Sequence, residues 1–354
     1  MSERLLNLGL VRFFIQQLTD TCVLEERLGR VMSVQRSRST VVCESGERVV
    51  ELSSTLRQSA AIDRPVVGDW IVLDESLSRI ERVLERKSFF KRLGAGSNNE
   101  IQPIAANIDI LFIVTSCNEE FKESRLERYL ALCAEAGATP VIILTKADRV
   151  ADPGVFIHRA RSVQAGVPIE TANALDPETV DGVRAWIDRT STVALVGSSG
   201  VGKSTLLNTL AGHTLAATSE IREQDKKGRH TTTHRELHLL PSGGLLIDVP
   251  GMRELRIAEL NQSIGAVFED IQLLAKQCRF ADCRHEAEPG CAVLRAIQEN
   301  EIDARRLANY KKLMRENALA TVTLAEKRSQ DREFAKMVKE GKRIKQKKSE
   351  SITE

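Results

Sequence analysis

The stretch STVALVGSSGVGKSTLLNTL, residues 191–210, decides the fold. An apolar run leads to Gly197, and leucines at helical spacing follow Ser204. Between them lies G-x-x-x-x-G-K-S, which predicts a strand, a glycine-rich turn and then a helix. Backbone N–H groups in such a turn converge on phosphate oxygens at the positive end of the helix. The stretch therefore predicts a site for a nucleoside triphosphate.

Nine consecutive residues make up the predicted phosphate site. Lys203 is expected to reach the β- and γ-phosphates and to act in catalysis, and Ser204 is expected to hold Mg²⁺. The site lies past the middle of the chain, whereas in most P-loop domains this loop lies near the start of the domain. Its residues are Gly197, Ser198, Ser199, Gly200, Val201, Gly202, Lys203, Ser204 and Thr205.

The composition is that of a globular protein. The 354 residues have room for two or three domains, and apolar residues make up 42% of them and charged residues 28%. No apolar run approaches the ~20 residues of a membrane span, and the N-terminus lacks the features of a signal peptide. We therefore expect a cytoplasmic, monomeric protein that does not associate with a membrane.

Two different patterns precede the phosphate loop. Apolar side chains from Leu5 to Leu18 lie close to helical spacing and predict an N-terminal helix. Residues 25–91 hold five short β-branched runs separated by turn residues, which is typical of a small closed barrel such as an OB-fold. Barrels of this kind contact nucleic acid in many proteins and are only structural in others, so both interpretations stay open.

An alternation of apolar runs and helical patterns begins at residue 108. The polar residues 91–107 before it are interpreted as a linker. Buried strands of the kind found in parallel sheets are predicted at 108–116 and 140–148, and the second strand of a hairpin at 245–249, so strands lie on both sides of the phosphate loop. One α/β sheet is therefore expected to collect them, with ligand groups at the carboxyl ends of its strands.

Two further segments match the phosphate-reading motifs of P-loop GTPases. Asp248-Val249-Pro250-Gly251 fits D-x-x-G, in which the aspartate acts on Mg²⁺ through water and the glycine N–H meets the γ-phosphate. The segment GRHTTT, residues 228–233, lies where a threonine contacts Mg²⁺ and the γ-phosphate, and we assign Thr232 to this role. A solvated polar loop is the alternative for this segment.

The segment Thr145-Lys146-Ala147-Asp148 occupies the position of the N-K-x-D motif at the end of a strand. Asp148 would accept hydrogen bonds from N1 and N2 of guanine, and Lys146 would pack along the base. Asn173 and Ala174 are candidates for a loop whose N–H meets guanine O6, although a plain strand-to-helix turn explains them equally well. Because these motifs precede the phosphate loop instead of following it, the predicted domain is circularly permuted.

Four potential metal ligands lie within fourteen residues near the C-terminus: Cys278, Cys283, His285 and Cys291. Zn²⁺ favours such a set of three thiolates and one imidazole, and four protein ligands leave no position for water. We therefore predict one structural Zn²⁺ per chain, whose binding is coupled to folding of a polar loop. Chance proximity of reduced cysteines is the alternative.

The end of the chain is basic. Between Lys336 and Lys348 seven Lys or Arg residues stand against one Glu. This composition is typical of a segment that orders only on binding. Such a tail either keeps a protein soluble or contacts RNA phosphates, and the neighbouring modules favour RNA.

The order of these features resembles the ribosome small-subunit-dependent GTPase A family (RsgA, also called YjeQ) over residues 25–320. The motifs that carry the resemblance are the barrel, T-K-A-D, G-S-S-G-V-G-K-S, G-R-H-T-T-T, D-V-P-G and the Cys/His cluster. The resemblance implies a cytoplasmic GTPase that binds the 30S subunit and its 16S rRNA late in subunit maturation. It also implies that the subunit stimulates hydrolysis of GTP to GDP and phosphate.

Two positions depart from the motifs of better-known GTPases. Thr145 stands where the family usually has asparagine, which removes an amide that steadies the base loop. Met252 stands where Ras-like enzymes carry the glutamine that orients water. The resemblance implies His230 as the group that places water instead, whereas a loop histidine without a role is the alternative.

These interpretations divide the chain into five parts. Two alternative functions remain: an ATP-using phosphotransferase, which Thr145 permits, and an RNA-binding module whose nucleotide site switches conformation without hydrolysis. The parts are an N-terminal helix at 1–24, an OB-fold barrel at 25–91, a permuted GTPase domain at 92–260, a zinc-binding, mainly helical domain at 261–320 and a basic tail at 321–354.

Overall fold

The structure is a computed structural model that describes residues 2–19, 25–35, 38–94, 101–215, 235–248 and 260–321. Within those ranges no helix is long and apolar enough to cross a membrane. Several residues with predicted roles lie outside the described ranges. They are His230, Thr232, Gly251 and the tail from residue 322 onward.

The N-terminal segment forms two helices, α1 (Glu3–Asn7) and α2 (Arg12–Thr19), so the prediction of one helix from Leu5 to Leu18 was wrong. The chain turns at Gly9, whose φ of 83° favours glycine. A Cβ atom there would lie 2.6 Å from Nη1 of Arg30 and 2.7 Å from the Thr190 carbonyl oxygen. Close packing against both neighbours therefore interrupts a segment whose apolar spacing is helical.

Five strands form the predicted OB-like barrel. They follow the order β1-β2-β3-β5-β4, and pairing of β1 with β4 closes the barrel. Apolar side chains from all five strands fill its core. The strands are β1 (Leu28–Gln35), β2 (Arg38–Cys43), β3 (Gly46–Leu52), β4 (Trp70–Leu73) and β5 (Arg79–Val83), with a short helix α3 (Ser54–Gln58) after β3.

The segment interpreted as a linker contains an antiparallel pair of strands, β6 (Phe89–Leu93) and β7 (Ile101–Ala106). Ala105 forms a bridge with Val67 of the barrel, and Ala106 N donates to the Val67 carbonyl at 3.0 Å. The connection between barrel and GTPase sheet therefore contains two paired strands, which the interpretation of residues 91–107 as a linker did not predict.

The GTPase sheet has the order β10-β9-β8-β11-β13-β12, in which only β12 is antiparallel to its neighbour. It combines strands from before and after the phosphate loop, as predicted. Its elements are β8 (Ile110–Ser116), α4 (Glu123–Ala136), β9 (Thr139–Thr145), α5 (Gly154–Arg161), β10 (Ile169–Ala172), α6 (Pro177–Arg184), β11 (Thr192–Val196), α7 (Lys203–Ala211), β12 (Glu236–Leu239) and β13 (Leu245–Asp248).

The C-terminal domain is helical and packs on α4. Its helices are α8 (Asn261–Val267), α9 (Glu269–Ala275), α10 (Ala292–Gln298) and a helix at 304–321. The carboxylate of Glu127 on α4 is fully buried, and it accepts hydrogen bonds from Arg305, Arg306 and Asn309. A buried charge this well paired fixes the C-terminal domain against the GTPase sheet.

Arg30 on β1 joins the N-terminal helices, the barrel and the GTPase sheet. Its guanidinium is 1% exposed, and burial lowers its pKa to about 10. It donates to the carbonyls of Leu8, Gly68 and Asn107 and, at 2.8 Å, to Oγ1 of Thr192 at the start of β11. One side chain thus satisfies acceptors from three parts of the molecule.

Candidate nucleotide and zinc sites

The phosphate loop connects β11 to α7 and has little room for side chains at its start. Gly197 has a φ of 148°, and a Cβ atom there would lie 2.1 Å from the Val114 carbonyl oxygen of β8. Helix α7 begins at Lys203, directly after the loop. The loop N–H groups therefore sit at the positive end of a helix, which is the arrangement that binds phosphate.

Two lysines cross this loop. The ammonium of Lys203 donates to the Ser198 carbonyl, and that of Lys146 donates to the Gly200 carbonyl at 2.7 Å. Lys203 belongs to the phosphate loop, whereas Lys146 comes from the segment that follows β9. The structure therefore brings a residue of the predicted base motif and a residue of the predicted phosphate site to the same loop.

Thr145, the last residue of β9, is fully buried beneath the phosphate loop. Its Oγ1 lies 2.5 Å from the Val201 carbonyl oxygen and 3.1 Å from that of Thr115 at the end of β8, and its single proton can serve one of them at a time. The hydroxyl therefore joins the base-reading strand to the phosphate loop. Although Thr145 replaces the asparagine usual in the family, a side-chain hydrogen bond is still present at this junction.

Replacing Thr145 with valine is expected to weaken GDP binding about tenfold, because a buried carbonyl loses its donor at a cost of about 1.4 kcal/mol. Thr145→Ser keeps the hydroxyl and serves as the control, with affinity close to that of the wild type. Calorimetric titration with Mg²⁺-GDP measures both variants. Equal affinities for the valine and serine variants would show that the hydrogen bond does not organise the site.

The second predicted base loop adjoins the first. Ala172 at the end of β10 pairs with Thr145, so the residues that follow the two strands meet at one edge of the sheet. The Ala174 carbonyl accepts a 2.7 Å hydrogen bond from Oγ1 of Thr209 on α7, and the Asn173 side chain accepts one from Leu175 N at 3.1 Å. Helix α7 thus holds both the phosphate loop and this loop.

Asp148 lies in a short 3-10 turn, Ala147–Arg149, after β9. Burial raises the pKa of the Cys117 thiol, just beyond the end of β8, and the nearby carboxylate of Asp148 raises it further, to about 11. The carboxylate therefore stands at the carboxyl ends of β8 and β9, where the sequence places the guanine site. Cys117 and Thr209 were missed by the sequence interpretation because neither belongs to a motif.

Asp248 ends β13, which runs parallel to β11 with Ile247 beside Ala194. Its carboxylate is half-buried at the same sheet edge as Ser204, the second residue of α7. A hydroxyl and a carboxylate are oxygen donors of the kind that Mg²⁺ prefers beside a triphosphate. These residues fit the predicted Mg²⁺ site, whereas Thr232, His230 and Gly251 lie outside the described residues.

The four potential zinc ligands of the C-terminal domain converge. Their donor atoms all lie within 4.8 Å of one another. Sγ of Cys278 is 3.8 Å from Sγ of Cys291 and 3.6 Å from Nδ1 of His285. Tetrahedral Zn²⁺ with its ordinary bond lengths has edges of about 3.8 Å between two sulfurs and about 3.6 Å between sulfur and nitrogen. The residues, which include Cys283, therefore fit a closed structural zinc site.

Two helices that follow this cluster in the chain contact its ligand residues. The His285 carbonyl accepts a 2.7 Å hydrogen bond from Nζ of Lys311 on the helix at 304–321. Sγ of Cys291 accepts from Leu294 N at the start of α10. The cluster thus connects the loop to the two helices that follow it.

Comparison with known proteins agrees with this geometry. A family model described as RsgA GTPase matches residues 83–258. A relative from Vibrio parahaemolyticus named "Small ribosomal subunit biogenesis GTPase RsgA 2" is 43% identical over 350 residues, which are 99% of this chain and 96% of that protein. The chain belongs to the RsgA GTPase family. A Mesorhizobium japonicum protein, "Small ribosomal subunit biogenesis GTPase RsgA", is 42% identical over 321 residues and covers 89% of this chain and 90% of its own length.

Solved structures show the same architecture. "Crystal structure of YjeQ from Thermotoga maritima" aligns with a TM-score of 0.61 at 25% identity, over 82% of this chain and 98% of that one. A structure described as "YloQ, a circularly permuted GTPase" aligns with a TM-score of 0.56 at 24% identity, over 82% and 94% of the two chains. The RsgA fold, with its permuted GTPase sheet, is therefore the fold of this chain.

A second family model, described as ABC transporter, matches residues 180–345. It shares the phosphate loop with the RsgA match, and this loop is common to many nucleotide-binding proteins. Only the RsgA match includes the segments at 145–148 and 173–174, which the structure places beside the loop. The geometry of the site thus agrees with the RsgA match.

Proposed function

We propose that this RsgA-family protein hydrolyses GTP and acts in maturation of the small ribosomal subunit. The observation that carries the proposal is the meeting of the base loops, the phosphate loop and Asp248 at one sheet edge, joined by the Thr145 hydroxyl. The partner comes from the relatives, whose names describe small ribosomal subunit biogenesis GTPases. The reaction yields GDP and phosphate.

Hydrolysis proceeds by in-line attack of water on the γ-phosphate, and the chain contributes position and charge. The N–H groups of residues 197–202 cradle the phosphates, and Lys203 leaves its contact with Ser198 to reach the β- and γ-oxygens. Ser204 and Asp248 would hold Mg²⁺, which would supply positive charge to neutralise the phosphates. Asp148 and Lys146 bind guanine, with Asn173 and Ala174 at its O6 edge.

The remaining catalytic roles are proposed for residues outside the described ranges. Thr232 contacts Mg²⁺ and the γ-phosphate, the N–H of Gly251 meets the γ-phosphate, and His230 places the attacking water, since Met252 has no group that orients water. These assignments rest on motif position and family resemblance.

His230→Ala is expected to lower subunit-stimulated turnover about 100-fold, as loss of a group that positions or deprotonates water does in other enzymes. The affinity for GTP should change less than about twofold, because the base and phosphate loops are intact. Steady-state hydrolysis and nucleotide titration separate the two quantities. Undiminished turnover would remove His230 from the mechanism.

We also propose the division of the chain into parts at 1–24, 25–91, 92–260, 261–320 and 321–354. The Cys₃His cluster holds one Zn²⁺ and stabilises the fourth part, and the barrel and the basic tail contact 16S rRNA. The protein acts as a cytoplasmic monomer on the 30S subunit. Hydrolysis on the subunit sets the time of its release.

Multiple-turnover hydrolysis of GTP and of ATP, with and without 30S subunits, tests the function. We expect GTP to be the substrate and the subunit to accelerate its hydrolysis. Equal rates for ATP would favour a phosphotransferase-type site, and GTP binding without turnover would favour a switch that does not hydrolyse.

A further inference from the structure

The barrel and the GTPase sheet are joined edge to edge through β12. Ser33 on β1 pairs with Glu236, the first residue of β12, and Glu236 pairs with Asp248, the last residue of β13. Three residues therefore lie in one line across three strands. The line runs from a buried position in the barrel to the carboxylate proposed to act on Mg²⁺.

Arg235, which immediately precedes β12, binds this end of β12 to strand β7 of the connecting segment. Its guanidinium donates to the carbonyl oxygens of Pro103 at 3.0 Å and Ile104 at 3.3 Å, both on β7. The side chain is half-buried, and burial together with the neighbouring charge of Arg92 lowers its pKa. Holding a cation in partly dry surroundings next to another cation costs free energy, which these two hydrogen bonds offset.

The barrel also approaches β13 so closely that a side chain at Gly68 would contact it. A Cβ atom on Gly68, in the barrel segment before β4, would lie 2.2 Å from the Ala106 carbonyl oxygen and 3.2 Å from Cδ1 of Ile247. Ile247 immediately precedes Asp248. A shift of the barrel therefore pushes on the strand that carries the carboxylate, and β12 and Arg235 set the geometry of that contact.

Asp248 does not depend on the barrel for its place in the sheet. Residues 245–247 of β13 pair with residues 192–194 of β11, the strand that leads into the phosphate loop. Loss of the Arg235 contacts would therefore leave Asp248 beside the phosphate loop. What would be weakened is the fixed relation between the position of the barrel and the position of the β12–β13 hairpin, because only the Ser33–Glu236 pair and the close approach of Gly68 to Ile247 would then maintain it.

We propose that Arg235 is a positioning residue that couples the barrel to the strand carrying Asp248, so that a partner seated on the barrel sets the rate of GTP hydrolysis. The inference rests on the proposed function, in which the small ribosomal subunit is that partner. Arg235 acts through β12 and β13 and does not touch the nucleotide. Substitution of Arg235 should therefore change the stimulated rate of GTP turnover and leave nucleotide affinity unchanged.

The experiment compares the full-length wild type with Arg235→Met, Arg235→Lys and Arg92→Met. Basal and 30S-stimulated GTP turnover are measured on the same preparations, together with GDP affinity. In Arg235→Met we expect the ratio of stimulated to basal turnover to fall about tenfold, a typical size for a coupling between two sites. Basal turnover and GDP affinity should stay within about twofold of wild type, because β13 keeps its pairing with β11.

The other two variants serve as controls. Arg235→Lys keeps a charged donor, but its shorter side chain places the nitrogen away from the position of Nη1, the one atom that donates to both carbonyls, so its ratio is expected to lie between those of wild type and Arg235→Met. Arg92→Met removes a neighbouring cation without touching the two carbonyls, and its ratio should match wild type. A purely structural defect lowers basal and stimulated rates by the same factor and leaves their ratio unchanged.

A wild-type ratio in Arg235→Met would overturn the coupling while leaving the proposed function intact. If Arg235→Met fails to fold, Arg235→Gln takes its place, because it removes the charge and shortens the side chain, and a wild-type ratio in it overturns the coupling equally. Absence of stimulation in the wild type would overturn both proposals, since no communication between partner and site would then exist.

Discussion

Lys203→Ala is expected to lower kcat/KM for GTP about 1000-fold, which corresponds to about 4 kcal/mol of lost transition-state stabilisation. Lys203 is the cation that begins α7, and its ammonium already lies across the phosphate loop on the Ser198 carbonyl. Without Lys203 the phosphate loop, residues 197–205, has no lysine to neutralise the negative charge that develops between the β- and γ-phosphates. The loss therefore falls on the chemical step as well as on binding.

Steady-state hydrolysis with and without 30S subunits measures this effect. Lys312→Ala, an exposed lysine on the helix at 304–321, is the matched control and should retain wild-type kcat/KM. A Lys203→Ala variant that kept more than about a tenth of the wild-type kcat/KM would contradict the assignment of the phosphate site, because that loss is less than about 1.4 kcal/mol.

Cys283→Ser is expected to abolish stoichiometric zinc. Structural zinc sites in small domains bind with apparent free energies of about 10–16 kcal/mol, and losing one thiolate opens the closed tetrahedron to water. The zinc content of the purified protein should fall from about one per chain to less than about 0.1 per chain after dialysis against a mild chelator. Elemental analysis gives the result directly.

The consequences of zinc loss should be confined to the C-terminal domain. The loop at 278–291 holds its helices through the Lys311 contact with His285 and the capping contact of Cys291, so these helices should loosen. GDP affinity should remain, because the nucleotide loops belong to the GTPase sheet. Cys43→Ser, in barrel strand β2, is the control and should keep its zinc. Full zinc retention in Cys283→Ser would refute the site.

Features encoded by adjacent residues were predictable from the sequence. The phosphate loop, the buried strands and the ligand spacing of Cys278, Cys283, His285 and Cys291 each depend on a short run of side chains. The permuted strand order followed from the order of the motifs. These features carry the proposed nucleotide and zinc sites, so the main proposals about the chemistry of the chain were accessible without coordinates.

Features that depend on distant partners were not predictable. Gly9 divides the N-terminal helix because of Arg30 and Thr190, which lie 21 and 181 residues further along the chain. The hydroxyl of Thr145 lies within hydrogen-bond distance of carbonyls 30 and 56 residues away in the chain. The sequence therefore shows that threonine replaces asparagine here, but it does not show which groups the threonine contacts. The β6–β7 pair likewise includes a bridge between Ala105 and Val67, 38 residues earlier in the chain, which no local pattern of the sequence indicates.

The four acceptors of Arg30 bear on how the chain folds as it is synthesised. The last barrel strand is complete at Val83, but Asn107 and Thr192 are translated afterwards. Until β11 has emerged, the guanidinium lacks at least one of its acceptors, Oγ1 of Thr192, and burying it without a full set of hydrogen bonds costs free energy. The barrel of a nascent chain therefore forms early but docks on the GTPase sheet late. Docking is complete only after the strand that leads into the phosphate loop has been synthesised.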